Sequence, residues 1–187
     1  LRFYAYRPES ASLLPLILHD AAQGRYESLL SQSRALSGDI GDSIALGMHL
    51  SVSCTEDPEI AIRPEDDATI MGNDIVEFIQ AQCAIWPKGK RDPDFRTPLR
   101  GDLPLLAISG ELDPVTPPRY GDEVVKTLPK ARHLVLPGQG HSVLTTGCMP
   151  KLFAQFVETA DAKNLDAECL KRLKPTPPFA GNYGWEP

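Results

Sequence analysis

The second half of the chain alternates short apolar runs with a helix-spaced pattern. Leu103 to Ser109 is apolar without polar alternation, opened by Leu-Pro and closed by Gly110. That pattern predicts a strand covered on both faces, as in a parallel sheet. Glu111-Leu112-Asp113-Pro114 follows as a loop. Pro117 and Pro118 suit a helix start, Tyr120 to Leu128 is the predicted helix, and Pro129 stops it. Ala131 to Leu136 is the next short strand, and Pro137-Gly138-Gln139-Gly140 turns ahead of His141. A strand–helix–strand unit of this size crosses over right-handed, so both strand-end loops leave by one edge of the sheet. Ligands of open α/β sheets bind at that edge.

Upstream the pattern is mostly helical. Leu13, Leu14, Leu16, Ile17 and Leu18, then Ala21 and Ala22, predict a helix ending at Gly24. Tyr26 to Leu36 predicts a second, with Leu29, Leu30 and Leu36 apolar. Within residues 1–47 this pair reads either as a partial helical lid or as ordinary packing helices. Met48 to Ser53 alternates in the manner of a third strand, ending at Cys54. Glu65 to Cys83 predicts one helix with Ile70, Ile75, Phe78 and Ile79 apolar, and Leu152 to Ala160 another. Lys88 to Leu99 is a charged loop, and the Pro/Gly-rich residues 175–187 read as an irregular tail. Trp86 and His49 read as packing residues. The expected class is therefore α/β, with about three parallel strands, flanking helices, and residues 48–174 as the main segment.

The predicted topology brings Asp113 and His141 to one sheet edge. A neutral imidazole can take a proton from a nucleophile and return it to a leaving group. A carboxylate behind it fixes the tautomer and stabilises the imidazolium. In α/β-hydrolases the chain order is nucleophile, acid, histidine, and these two residues fill the last two places. Glu111 either orients the Asp113 loop or is a solvated loop residue.

SGELDPVTPP followed by LPKARHLVLPGQGHS, then a cysteine and a helix, resembles the C-terminal portion of tripeptidyl aminopeptidase-like α/β-hydrolases, relatives of the proline iminopeptidases. LGMHLSVSCTEDPE, CAIWP and ECLKRLKPTPPF extend the resemblance over most of the chain. It implies an α/β-hydrolase fold and a secreted serine peptidase with Asp113 as triad acid and His141 as base. The reaction it implies is release of short peptides from a substrate's N-terminus through an acyl-enzyme. An aminopeptidase must recognise an ammonium group. Glu56 and Asp57, beyond the expected strand at Cys54, are candidates for that by charge-assisted hydrogen bonding. The other reading of the two is capping and turn formation ahead of Pro58.

The pattern departs from the family at the nucleophile. No G-x-S-x-G elbow occurs. Gly41-Asp42-Ser43-Ile44-Ala45 is the nearest match, but it lacks the second glycine and no buried strand precedes it, so Ser43 reads as a helix or loop residue. The chain opens on Leu1-Arg2-Phe3-Tyr4 without a methionine or signal pattern. The expectation is a fragment that is inactive alone and whose partner is the N-terminal remainder carrying the serine. The alternatives are a non-catalytic binding domain or an ester hydrolase of the same fold.

Composition narrows the classes further. A net charge of −6 over 187 residues, with no basic stripe, argues against a nucleic-acid partner. No apolar run is long enough for a membrane span. The four cysteines, Cys54, Cys83, Cys148 and Cys169, form no C-x-x-C and fit no zinc spacing. Neither metal nor cofactor is expected. Of three possible pairings, Cys54–Cys83 and Cys148–Cys169 are favoured because each joins sequence neighbours and ties a strand end or loop to a later helix. An even count suits an oxidising compartment, secreted or periplasmic.

Overall fold

The computed structural model describes residues 2–57, 60–69, 72–181 and 184, without the side chains of residues 2 and 36–43. Expectations placed on Leu36, Pro58, Ile70, the Ser43 side chain and the last tail residues lie outside the described residues. The elements run α1 (Pro8–Ala22), α2 (Glu27–Ser43), α3 (Leu46–Glu56), α4 (Asp74–Ile85), β1 (Leu105–Gly110), α5 (Pro118–Val125), β2 (Ala131–Leu136) and α6 (Met149–Thr159). Short 3₁₀ turns occupy Arg2–Tyr6, Pro64–Ala68 and Glu168–Arg172. The chain divides into two compact units, residues 1–36 with 98–187, and residues 37–97.

In the first unit β1 and β2 pair in parallel through the α5 crossover, from Leu105 opposite Ala131 to Gly110 opposite Leu136. The strands thus end level with one another. Leu134 and Leu136 pack with Val143, Met149, Leu152, Leu165 and Leu170, the main core of this unit. Leu106 and Ile108 of β1 border it. Arg132 extends from β2 to donate to the carbonyl of Leu165 at 2.6 Å and of Lys163 at 3.1 Å. The Cys148–Cys169 disulfide joins the N-terminus of α6 to the last 3₁₀ turn. α6 stops at Ala160, whose backbone is left-handed (φ 51°). In α1, Ile17 and Ser12 are buried, whereas Tyr26 and Leu30 around the start of α2 are exposed.

The second unit corrects two expectations. Residues 48–53 are not a strand but the middle of α3. MHLSVS alternates with period two, yet Leu46, Leu50 and Cys54 also recur at helical spacing. The packing follows the helical set: Leu50 and Cys54 are buried, while Met48 is 69% exposed. The sheet of the described residues has two strands rather than three. The helix expected over Glu65 to Cys83 is likewise broken into a 3₁₀ turn and α4. Gly72 takes a positive φ of 51° between them, a conformation glycine adopts without steric cost. Asn73, buried next to it, donates to Arg63 O at 2.8 Å and to Asp67 Oδ1 at 2.7 Å, and accepts from Arg63 N at 3.2 Å. These bonds satisfy the side chain in a turn rather than in a continuous helix.

The Cys54–Cys83 disulfide links α3 to α4 around a small core with Leu50, Ile79 and Trp86. Trp86 is thus a packing residue, whereas His49 is exposed. Each disulfide lies within one unit. No helix of the described residues is long and apolar enough to cross a membrane.

Candidate active site

Asp113 sits in the loop after β1, three residues beyond Gly110, and the local sequence builds a cradle for it. Its Oδ1 accepts from the backbone N–H of Val115 at 2.8 Å and of Thr116 at 2.9 Å. This is the turn that an aspartate side chain makes with the residues just ahead of it. Oδ2 accepts from the Thr116 hydroxyl at 3.0 Å. Pro117 and Pro118 then start α5.

His141 arrives from the loop after β2. Its Nδ1 lies 2.9 Å from Asp113 Oδ2. An ionised carboxylate only accepts, so Nδ1 carries the proton and Nε2 is left for other chemistry. The Asp113 side chain is 4% exposed and that of His141 33% exposed, so a buried acid backs an imidazole that solvent reaches. Burial pushes the Asp113 carboxyl upward. The bonds it accepts from Thr116 N–H, His141, Val115 N–H and the Thr116 hydroxyl outweigh that, and the group lies below the usual carboxylate range.

The two loops are also bound to each other. Leu112 N–H donates to Gln139 O at 2.8 Å, Glu111 N–H to Leu136 O at 3.0 Å, and Gly138 N–H to Glu111 Oε2 at 2.7 Å. Of the two readings of Glu111, loop orientation is the one with contacts to match. The approach is close: a Cβ on Gly110 would meet Gly140 O at 1.9 Å. On the other side the His141 N–H donates to Tyr6 O at 2.7 Å, and the Tyr6 ring meets the imidazole edge-on, centroids 5.6 Å apart. Ser142, next along, has φ 66°. A non-glycine residue in that region is strained, and such strain gathers at functional sites.

The remaining sequence candidates fall elsewhere. Glu56 ends α3 and Asp57 follows it, in the unit that does not contain Asp113 or His141. The premise that a strand end delivers them to the sheet edge is overturned, because the element before them is a helix. The Glu56 carbonyl accepts from Arg91 at 2.7 Å, and Asp57 Oδ1 pairs with Arg96 at 3.1 Å. All four cysteines are consumed in the two disulfides, and no cluster of metal-ligating side chains occurs among the described residues. Sequence reasoning missed Thr116 and Tyr6. Thr116 was findable, since it lies three residues after an aspartate in a turn-forming stretch. Tyr6 is brought in by tertiary structure and gives no local signal.

Parallel strands joined by a crossover helix, with an aspartate–histidine pair on the loops at their common edge, define a segment of an α/β-hydrolase. The family model described as TAP-like protein matches residues 68–169, more than half of the chain, and the chain belongs to that α/β-hydrolase family. The match spans Asp113, His141 and the Cys148–Cys169 bond. No curated protein and no solved structure matched the chain.

Proposed function

We propose that Asp113 and His141 are the acid and base of a serine exopeptidase whose nucleophile lies outside these 187 residues. The observation that carries this reading is the 2.9 Å contact between a buried carboxylate and a partly exposed imidazole on two strand-end loops. In the proposed reaction a serine hydroxyl attacks the scissile carbonyl while His141 Nε2 takes its proton. The bond to the leaving amine breaks, and the imidazolium delivers that proton to it. Water, deprotonated by the same nitrogen, then attacks the acyl carbonyl; the ester bond to serine breaks, and the imidazolium returns the proton to the serine oxygen. Asp113 stays ionised and holds Nδ1–H toward itself throughout. The partner is the hydrolase segment that supplies a G-x-S-x-G elbow. The substrate is a small peptide with a free N-terminus. The two disulfides support an oxidising compartment, secreted or periplasmic.

The test joins the chain to a segment containing the elbow and assays tripeptidyl amides. Hydrolysis that falls by about 10⁴ in Asp113→Asn, the size of effect expected when the imidazole takes the wrong tautomer, supports the assignment. Near-normal turnover rejects Asp113 as the acid. Substrates with a blocked N-terminus test ammonium recognition, the role for which Glu56 and Asp57 retain chemistry but no supporting geometry. Preference for acyl esters over amides selects the esterase alternative. The 187-residue chain alone is expected to resist a serine-directed fluorophosphonate.

A further inference from the structure

A second histidine bridges β1, α5 and β2. His133 of β2 lies with Nδ1 2.8 Å from Asp122 Oδ1 on α5 and Nε2 2.9 Å from Ser109 Oγ on β1. The register explains the pairing. Ala107 is opposite His133 and Ser109 is opposite Val135, so Ser109 and His133 are diagonal neighbours on one face of the sheet. The imidazole is 5% exposed. It fits beneath α5 because residue 121 is glycine: a Cβ there would come within 2.5 Å of Nε2. The set has the chain order serine, aspartate, histidine. Even so, an imidazole sealed under a helix offers a substrate carbonyl no approach, so the contacts are not read as a second reactive centre.

Their position in the chain suggests another role. Ser109 immediately precedes Gly110, and Asp122 is the fifth of the eight residues of α5. Between them runs the loop holding Asp113 and its donors Val115 and Thr116. We propose that His133 is a positioning residue, which bridges Ser109 to Asp122 and closes the base of the loop that aims Asp113 at His141. The proposal rests on the acid–base reading given above. With Asp122 ionised, the proton is on Nδ1, and Nε2 accepts from the Ser109 hydroxyl. Losing either bond removes the side-chain tie between β1 and α5 at the two roots of the loop, and the Asp113 carboxylate then no longer meets its donors in a single arrangement. Closing a loop at its ends removes freedom from every residue between them.

The 187-residue chain provides the test, read by two NMR signals. One is the downfield, exchange-protected Nδ1 proton of His141. The other is the titration of the Asp113 carboxyl carbon. Asp113→Asn is the control: it must abolish the first signal, and if it does not, the acid–base reading fails whatever the fate of the clamp. With that control met, Ser109→Ala and His133→Phe are expected to lose the His141 proton. Both are also expected to shift the Asp113 titration upward toward the ordinary carboxylate range. Ser109→Thr, which keeps the hydroxyl, should retain both signals. Leu152→Ala weakens the main core from α6, without changing β1, α5 or the Asp113 loop themselves, and should leave both unchanged, which separates positioning from general stability. If His133→Phe does not fold, Ser109→Ala decides. Unchanged signals in Ser109→Ala overturn the proposal, as would fluorophosphonate labelling of Ser109, which would make the three residues a reactive centre instead.

Discussion

Replacing Gly110 by alanine should damage the site more than its single methyl group suggests. The added Cβ would lie 1.9 Å from Gly140 O and 2.5 Å from Gln139 O, whereas real Cβ atoms essentially never come within 3.0 Å of such neighbours. Both obstacles are backbone, so no side chain can rotate away. The loop must retreat by about an ångström, the shortfall between 1.9 and 3.0 Å. That retreat stretches the 2.8 Å bond from Leu112 N–H to Gln139 O. Overpacking costs about 1–3 kcal/mol and the lost bond about 1 kcal/mol, so a destabilisation of about 2–4 kcal/mol is expected. Denaturant unfolding of the 187-residue chain measures it. Gly181→Ala is the comparison, because a Cβ there meets nothing within 4 Å. The displaced loop also carries His141, whose Nδ1 is 2.9 Å from Asp113. In a complete enzyme an ångström of misplacement should lower kcat by about 10². A Gly110→Ala protein as stable as Gly181→Ala, with the His141–Asp113 contact intact, would refute the reasoning.

Three further outcomes are expected. Because the Asp113 carboxyl is held below its ordinary range when folded, its contribution to stability is complete above the unfolded value near pH 4 and declines as pH falls through the folded value. Acid unfolding curves of the parent and Asp113→Asn should therefore converge in strong acid and separate above it; parallel curves would contradict this. Tyr4 is buried and its hydroxyl has no partner among the described residues, so Tyr4→Phe should leave the melting temperature unchanged or raise it, by up to about 1–3 kcal/mol in stability. A clear fall would mean that the hydroxyl does have a partner. Cys148→Ser with Cys169→Ser opens a link between residues 21 apart and should cost about 3 kcal/mol by loop-closure entropy, measured by unfolding under oxidising conditions. No loss would show that the unlinked chain is equally constrained.

The strand–helix–strand unit was legible because its local signals agree. Unbroken apolar runs, a proline pair at the helix start and glycines at the turns mark the order of its elements, and Ala131–Leu136 matches the expected strand residue for residue; β1 starts at Leu105 rather than Leu103 and includes Gly110, and α5 spans Pro118–Val125 rather than Tyr120–Leu128. The juxtaposition of Asp113 and His141 followed from chain direction alone, since parallel strands end at one edge of their sheet. The failures have a common cause in ambiguous periodicity. Residues 46–56 satisfy both a two-residue and a helical repeat, and the choice was made by burial of Leu50 and Cys54, which no local pattern records. The break at Gly72 and Asn73 was missed because the flanking apolar positions continue the helical spacing across it. His133 gave no sign of its contacts because its partners come from a neighbouring strand and a helix.

The contacts that shape the acid–base pair have a bearing on inheritance. Ser109, Gly110, Asp113, Thr116, Asp122, His133, Gly140 and His141 all lie between the start of β1 and the residue after His141. A single recombination event could move that whole arrangement between genes without separating Asp113 from His141. Tyr6 is the distant contributor, and its hydrogen bond to His141 is made by a main-chain carbonyl. Residue 6 can therefore drift in identity while still accepting that bond, whereas a Cβ on Gly110 or Gly140 would run into backbone, that of residues 139–140 or that of residues 5–6.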